Sequence, residues 1–398
     1  MRFRLPRGRN EATAIAASCA AAAVIASGAA ALAVISVAGW EPSVLIRMGP
    51  TEPLAPLARE ADPGFSFVDP AGHGDGADFY AIARDPLALG EEHRLIDRAA
   101  YRYGHPGFSW LGLLVSGGRA AFLPLAFLLL GLAGMAVAAA CASLIADGLG
   151  RSPWAGLLIA LQPGLIYSVT ISTSEPAGVA ALALALLLWQ RGHWKAALPL
   201  LAYLCLIKEW FVLVPLGLAA WESLHWVRER RRDEGGRRVA GLLAVPIPAA
   251  IWHVYVFVRL QEWSYQAAPD VFDLPPLGWI RTMRGAADLG TGSFDQVNVG
   301  HVGLPLLVVS AAVLVLAALR AVHLRTYFDA VFLAFVPVIA ALNSLVLLYP
   351  KDLLRTLAVP LALVPAVLAG QRRSLRADAS PMHPAREGDR GARPEARP

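Results

Sequence analysis

The sequence predicts an all-α polytopic membrane protein, a helical bundle of about ten passes with a long first loop outside the membrane. Three observations carry that expectation. Hydrophobic residues make up 56% of the 398-residue chain and charged residues only 16%, at a mean hydropathy of +0.51, far from the composition of a soluble domain. Apolar runs of spanning length recur, and hydrocarbon offers the backbone no hydrogen bonds, so such runs must be helices or strands of a closed barrel. Their Ala, Leu and Val residues lack the period-2 alternation of barrel strands. Basic residues gather at the ends of these runs, the pattern of loops held in the cytoplasm.

The first run, Ala12 to Ala38, follows Arg2, Arg4, Arg7 and Arg9. It exceeds the roughly 7–15 apolar residues of a signal peptide, so it is expected to stay as a spanning helix with the N-terminus inside. Residues 41–119 then form a first extracytoplasmic loop, acid-rich and punctuated by Pro and Gly. Short apolar pieces within it, such as Gly107–Ser116, suit helices lying in the membrane interface. Runs at Ala120–Ile145, Trp154–Ile171 and Pro176–Trp189 follow, with Arg151 at one side and Glu175 at the other.

Ala196–Trp221 lies between two basic loops, the second carrying Arg228, Arg230, Arg231, Arg232, Arg237 and Arg238. Both loops belong inside, so the stretch must cross an even number of times. Two half-spanning helices meeting at Lys208-Glu209 satisfy that count. Ala240–Val258 then returns outward, residues 259–300 form a second external loop, His301–Leu319 descends, Tyr327–Leu348 ascends and Leu353–Gly370 descends. The tail 371–398, rich in Arg, Pro, Ala and Gly, is expected to be disordered in the cytoplasm. The location that follows is the cell inner (plasma) membrane, with both termini cytoplasmic.

Cys19, Cys141 and Cys205 fall inside apolar runs and offer neither a disulfide framework nor a metal-ligand spacing. His73, His93, His105, His193, His225 and His253 show no ligand spacing either, so no metal site is assigned. The net charge of +5 sits at the ends of apolar runs, which argues against nucleic acid as a partner. Membrane lipids are the partners the composition itself implies.

Ionisable groups at membrane depth cost about 2.5–3.5 kcal/mol on insertion scales, so each needs a reason. Asp75, Asp78, Glu175, Lys208, Glu209, Lys351, Asp352 and Arg355 lie on different segments, yet the topology count brings all of them to the outer face. One shared outward cavity is the economical account. Asp75 opens Asp75-Gly76-Ala77-Asp78, where it can be a catalytic base or an ordinary acidic turn. Glu175, before Pro176, is also explained by the dipole of the helix it begins. Lys208-Glu209 interrupts an apolar run, and Arg355 is placed to meet a lipid headgroup or a phosphate.

The stretch Asp75-Gly76-Ala77-Asp78-Phe79-Tyr80-Ala81-Ile82-Ala83-Arg84-Asp85-Pro86, followed by Tyr101-Arg102-Tyr103, resembles the first-loop pattern of the bacterial C-type glycosyltransferases. These are multi-spanning enzymes that take sugars from polyprenyl-phosphate carriers. Pro163-Gly164, Thr173-Ser174-Glu175 and Lys208-Glu209 follow in the family's order, so residues 1–370 resemble one transmembrane glycosyltransferase domain, of the mannosyltransferase-like kind. The chain departs from the family's pattern at Ala77 and Asp78, where Gln and an aromatic are common, at Gly104-His105, and at Lys208 in place of Arg.

The resemblance implies that Asp75 is the catalytic carboxylate. It places Asp78, Tyr80, Arg102 and Glu175 among the substrate-binding residues, together with Lys208, Glu209, Lys351 and Arg355. The implied reaction moves a sugar to an acceptor hydroxyl on a glycan, lipid or protein, with phosphate leaving. It needs one base and cations for the departing charge, and a single displacement inverts the anomeric centre. No cofactor is established; a divalent cation is compatible with the chemistry. Two rivals stand beside it, a membrane transporter and a non-catalytic partner in cell-envelope polysaccharide assembly or export.

Overall fold

The computed structural model describes residues 9–68, 74–229, 232–268, 271–288 and 302–369. No strand is found among them, and the isolated β-bridge pairs Phe272 with Leu342. The helices in chain order are α1 (Arg9–Ser36), α2 (Ala55–Ala61), α3 (Asp75–Arg84), α4 (Ala99–Tyr103), α5 (Gly107–Val115), α6 (Leu123–Gly148), α7 (Leu157–Ala160), α8 (Pro163–Thr170), α9 (Glu175–Gln190) and α10 (Trp194–Ile207). They continue as α11 (Leu213–Glu229), α12 (Arg232–Ala244), α13 (Ile247–Leu260), α14 (Leu277–Asp288), α15 (Leu304–Ala321), α16 (Tyr327–Ala340), α17 (Ser344–Leu347), α18 (Pro350–Thr356) and α19 (Ala358–Ala369).

Five helical stretches among the described residues are long and apolar enough to cross a membrane: Asn10–Ser36, Ala120–Gly148, Glu209–Arg228, Glu234–Leu260 and Leu304–Ala321. A sixth is formed if α18 and α19, bent by 54° at their junction, count as one span. The protein thus has the helices of a multi-pass membrane protein. Its surface agrees, because Ile25, Ile251, Val309 and Leu319 point outward on the helices whose other faces build the core, an arrangement that water penalises and lipid does not.

These five or six are fewer than the ten passes expected. Several runs are interrupted, and the pieces fall short of the roughly 20 residues a span requires. Trp154–Ile171, expected as one pass, is broken into a 3-10 turn, α7 and α8. Pro163 lacks an amide hydrogen and disfavours helical backbone at Gln162, which is extended (φ −70, ψ 115) and caps α8 by accepting from the Leu165 amide. Tyr327–Leu348 likewise ends its helix at Ala340, after which the chain turns through the Phe272–Leu342 bridge into α17. The Ala196–Trp221 run is interrupted at Lys208, which is extended (φ −163, ψ 139) between α10 and a 3-10 turn at Glu209–Val212, but the piece after the break runs on as Glu209–Arg228, long enough to span, and is not the half-spanning helix expected.

The first loop is a structured layer. It contains α2 to α5 and a 3-10 helix, Pro42–Ile46, around an apolar cluster of Ile46, Met48, Phe65, Tyr80, Phe108 and Phe127. The Ala83-Arg84-Asp85-Pro86 stretch turns the chain after α3. Asp85 accepts from the amides of Leu89 (2.8 Å) and Gly90 (2.9 Å), and Arg84 pairs with Glu92 at 3.3 Å. Beneath this layer α6 packs on α1 and α9, α9 on α10, α11 on α12 and α16, and α15 on α16 and α19. The N-terminal arginines up to Arg7, His73, Arg230, Arg231, residues 289–301 and the tail from residue 370 lie outside the described residues.

Candidate functional site

Asp75 is the first residue of α3, where the helix dipole favours negative charge. Gly76 beside it is required by close approach. A Cβ there would stand 2.7 Å from the carbonyl oxygen of Ile171 and 2.8 Å from that of Ile46, so only glycine lets α3 begin against both backbones. On the opposite wall, Gly164 of α8 touches the backbone of α18 at Leu354, and a Cβ would run into the Leu354 carbonyl and lie 2.8 Å from the amide nitrogen of Arg355. These two contacts bring Arg355 to Asp75.

Both oxygens of Asp75 are taken. Arg102 Nη1 donates to Oδ1 at 2.8 Å, and Arg355 Nη1 lies 2.6 Å from Oδ2. Arg102 also lies 3.1 Å from Asp78 and 3.2 Å from Asp97 through Nε. Arg355 is shared with Glu175 (3.8 Å) and Asp352 (3.6 Å), and Lys208 Nζ donates to Glu175 at 3.4 Å. Glu209 pairs with His105, whose ring meets Tyr101 edge-on at 4.8 Å. The result is one alternating network of cations and carboxylates drawn from five stretches of the chain.

Burial opposes the charge on Asp75, but Arg355 and Arg102, with Lys208 beyond them, outweigh it and hold its carboxyl far below the usual carboxylate range. The Glu209 carboxylate and burial together push the Tyr101 phenol up, so it stays a neutral hydroxyl. Three residues around the site hold left-handed backbone without being glycine: Arg47 (φ 60), Arg98 (φ 47) and Ser172 (φ 51). Such positions cost about 1–3 kcal/mol each and persist where the surroundings demand them.

The network opens into a cavity of about 340 Å³ lined by Asp75, Arg102, Lys208, Glu209, Lys351 and Arg355, together with Arg47, Arg98, Tyr101, Tyr167 and Asp352. Val271, Phe272, Leu342 and Val346 form its apolar side. Asp78 and Glu175 lie behind the Asp75 wall, around a small adjoining pocket that His105 also lines. The sequence-derived residues therefore converge, with one correction. Tyr80 faces away into the apolar cluster under α3, fully buried against Phe65 at 5.7 Å between ring centroids. Residues two apart on a helix face different directions, so a side chain two after Asp78 cannot share its face.

Arg47, Arg98, Tyr167 and the His105 pairing were not singled out by sequence reasoning. Arg98 carried a signal, since it precedes Arg102 by four residues as Lys351 precedes Arg355. His105 carried none, because its partner Glu209 lies far along the chain. Among the described residues no group of three or more His, Cys, Asp or Glu is arranged to hold a metal ion. A guanidinium pair around a carboxylate, in a cavity polar on one side and apolar on the other, can bind an anion, neutralise a leaving phosphate and present a proton acceptor.

No protein-family model matches the chain, and no curated protein matches it.

Proposed function

We propose that this chain is a multi-pass glycosyltransferase of the cell inner membrane that moves a sugar from a polyprenyl-phosphate carrier to an acceptor hydroxyl. Both termini are cytoplasmic in this reading, and the cavity opens on the extracytoplasmic side. The observation that carries it is Asp75 gripped between Arg102 and Arg355 inside the 340 Å³ cavity. A second feature supports a lipid-linked donor. Ile339 and Ala340, close along the chain to Leu342 of the cavity wall, line an apolar cleft of about 330 Å³ with Trp279, Met283, Leu314 and Val336, suited to an isoprenoid tail.

With both oxygens paired, Asp75 is a poor base at rest. The donor's phosphate competes for the same two guanidiniums, and each one that turns to the phosphate releases a carboxylate oxygen. The freed Asp75 accepts the proton of the acceptor hydroxyl as that oxygen bonds to the anomeric carbon. The bond from anomeric carbon to phosphate oxygen breaks in the same displacement, with inversion, and the electron pair leaves with the phosphate. Arg102, Arg355 and Lys208 stabilise the charge that develops there. Base strength is thereby tied to donor occupancy, and water meets a weak base when the donor is absent.

The test is an assay of the purified protein in lipid with a panel of polyprenyl-phosphate sugars, following sugar transfer and carrier release together. Transfer from one member, with stoichiometric release of polyprenyl phosphate, is the expected result. Failure of every member both to react and to bind would remove this reading.

A further inference from the structure

Sugar transfer to a hydroxyl leaves one proton on Asp75. That proton must go before Arg102 and Arg355 close on both carboxylate oxygens again. Asp75 lines two spaces, the large cavity that substrate fills and the polar pocket of about 50 Å³ behind it. Tyr101, His105, Glu175 and Lys208 share that pocket. Both cations that meet Glu175 do so at Oε1, and its Oε2 is buried with no hydrogen-bond partner among the described residues. A buried acceptor without a protein partner, beside a polar space large enough for a water molecule, calls for one.

His105 is set apart by its partner. Asp75, Asp78 and Glu175 are held by guanidinium or ammonium groups, whereas Glu209 is held by the imidazole of His105 through Nε2. A neutral imidazole has one N–H and one acceptor nitrogen, so with the Nε2 hydrogen turned to the carboxylate, Nδ1 is the acceptor. A proton taken there makes an imidazolium that Glu209 stabilises, the part a carboxylate plays behind a catalytic histidine. His253 of α13 stands next, with 6.4 Å between the two ring centroids. Gly104 admits it, since a Cβ at that position would stand 2.9 Å from its Cε1. The hydroxyl of Ser264 gives its one hydrogen to the Ala100 carbonyl at 2.9 Å, so it accepts from His253 Nδ1 at 3.0 Å and leaves Nε2 of His253 as an acceptor. His253 is half-buried, near the end of α13.

The geometry points to His105, backed by Glu209, as the proton exit of the site. Asp75 passes the acceptor's proton through water in the small pocket to His105, which hands it to His253 and so to solvent, and Asp75 returns to a carboxylate. The exit rests on the transferase reading above and adds to it residues that touch neither sugar nor phosphate.

The full chain in phosphatidylcholine nanodiscs is assayed with the panel of polyprenyl-phosphate sugars as wild type, His105→Ala and His105→Gln, and farnesyl phosphate is titrated into each. Turnover should fall by about tenfold or more in both variants, while the affinity for farnesyl phosphate stays at the wild-type value. Added imidazole should restore much of the turnover of His105→Ala and none of that of His105→Gln, since Gln fills the space and can donate to Glu209 but takes no proton. A residue that only positioned Glu209 would be replaced well by Gln. Near-normal turnover in His105→Gln, or a loss in His105→Ala that imidazole leaves untouched, overturns the exit while the transferase reading stands on wild-type turnover. If wild type transfers from no member of the panel, that reading falls and the exit with it.

Discussion

Arg355 Nη1 lies 2.6 Å from Asp75 Oδ2, tying α18 to α3 of the first loop. The contact makes one guanidinium both the restraint on a carboxylate and the natural seat of a phosphate. Arg355→Ala should therefore weaken binding of a polyprenyl-phosphate donor by roughly 10- to 100-fold, the loss expected when one charge-assisted contact is removed. Arg355→Lys keeps the charge but loses the planar fork, so it should recover only part of the loss. Donor titration of the three proteins side by side is the measurement; equal affinity in all three would detach Arg355 from the phosphate.

Gly164 holds Arg355 in place without touching substrate. Gly164→Ala drives a methyl into the Leu354 carbonyl, an overpacking that costs about 1–3 kcal/mol, and should also reduce donor affinity in the direction of Arg355→Ala. Gly285 in α14 has nothing within 4 Å of an added Cβ. Gly285→Ala should leave the melting temperature unchanged or raise it slightly, since Ala is the better helix former by about 1 kcal/mol. Thermal melts and donor titration of both variants check the pair; an unaltered Gly164→Ala protein would mean that α8 does not position α18.

The membrane class was legible in composition, because no other solvent tolerates these apolar runs. The convergence of Asp75, Glu175, Lys208 and Arg355 was legible too, because the topology count brought these charges to one face, whereas Arg102 came from the family resemblance alone. Individual passes were not. Hydropathy averages over a window and cannot see that Pro163 breaks Trp154–Ile171 into short pieces, or that the Tyr327 helix stops at Ala340. Tyr80 was misplaced because a motif is read along the chain, whereas a helix sends neighbouring residues to different faces. The pairing of His105 with Glu209 had no local signature, as it depends on how α4 and the Lys208 break meet in space.

Topology is open to a direct check. Cys19, Cys141 and Cys205 are buried, so a single exposed cysteine introduced by Glu60→Cys in the first loop, or by Arg228→Cys at the end of α11, reports its own side of the membrane. Impermeant maleimide added to intact cells should label the first and not the second. Labelling of both from one side would undo the extracytoplasmic placement of the cavity.

The central claim is that Asp75 takes the proton of the acceptor, and the turnover of Asp75→Asn set beside its donor affinity tests it most directly. Asn keeps the size of the side chain but cannot accept that proton, so turnover should fall by at least the roughly 10²–10⁴-fold typical of a lost general base. Donor affinity should stay at or above the wild-type value, because Arg102 and Arg355 no longer have a carboxylate competing with the phosphate. A protein whose structure alone had failed would lose both. Near-normal turnover in Asp75→Asn, in an assay where wild type transfers sugar, would contradict the account and turn attention to Asp78, Glu175 or Glu209.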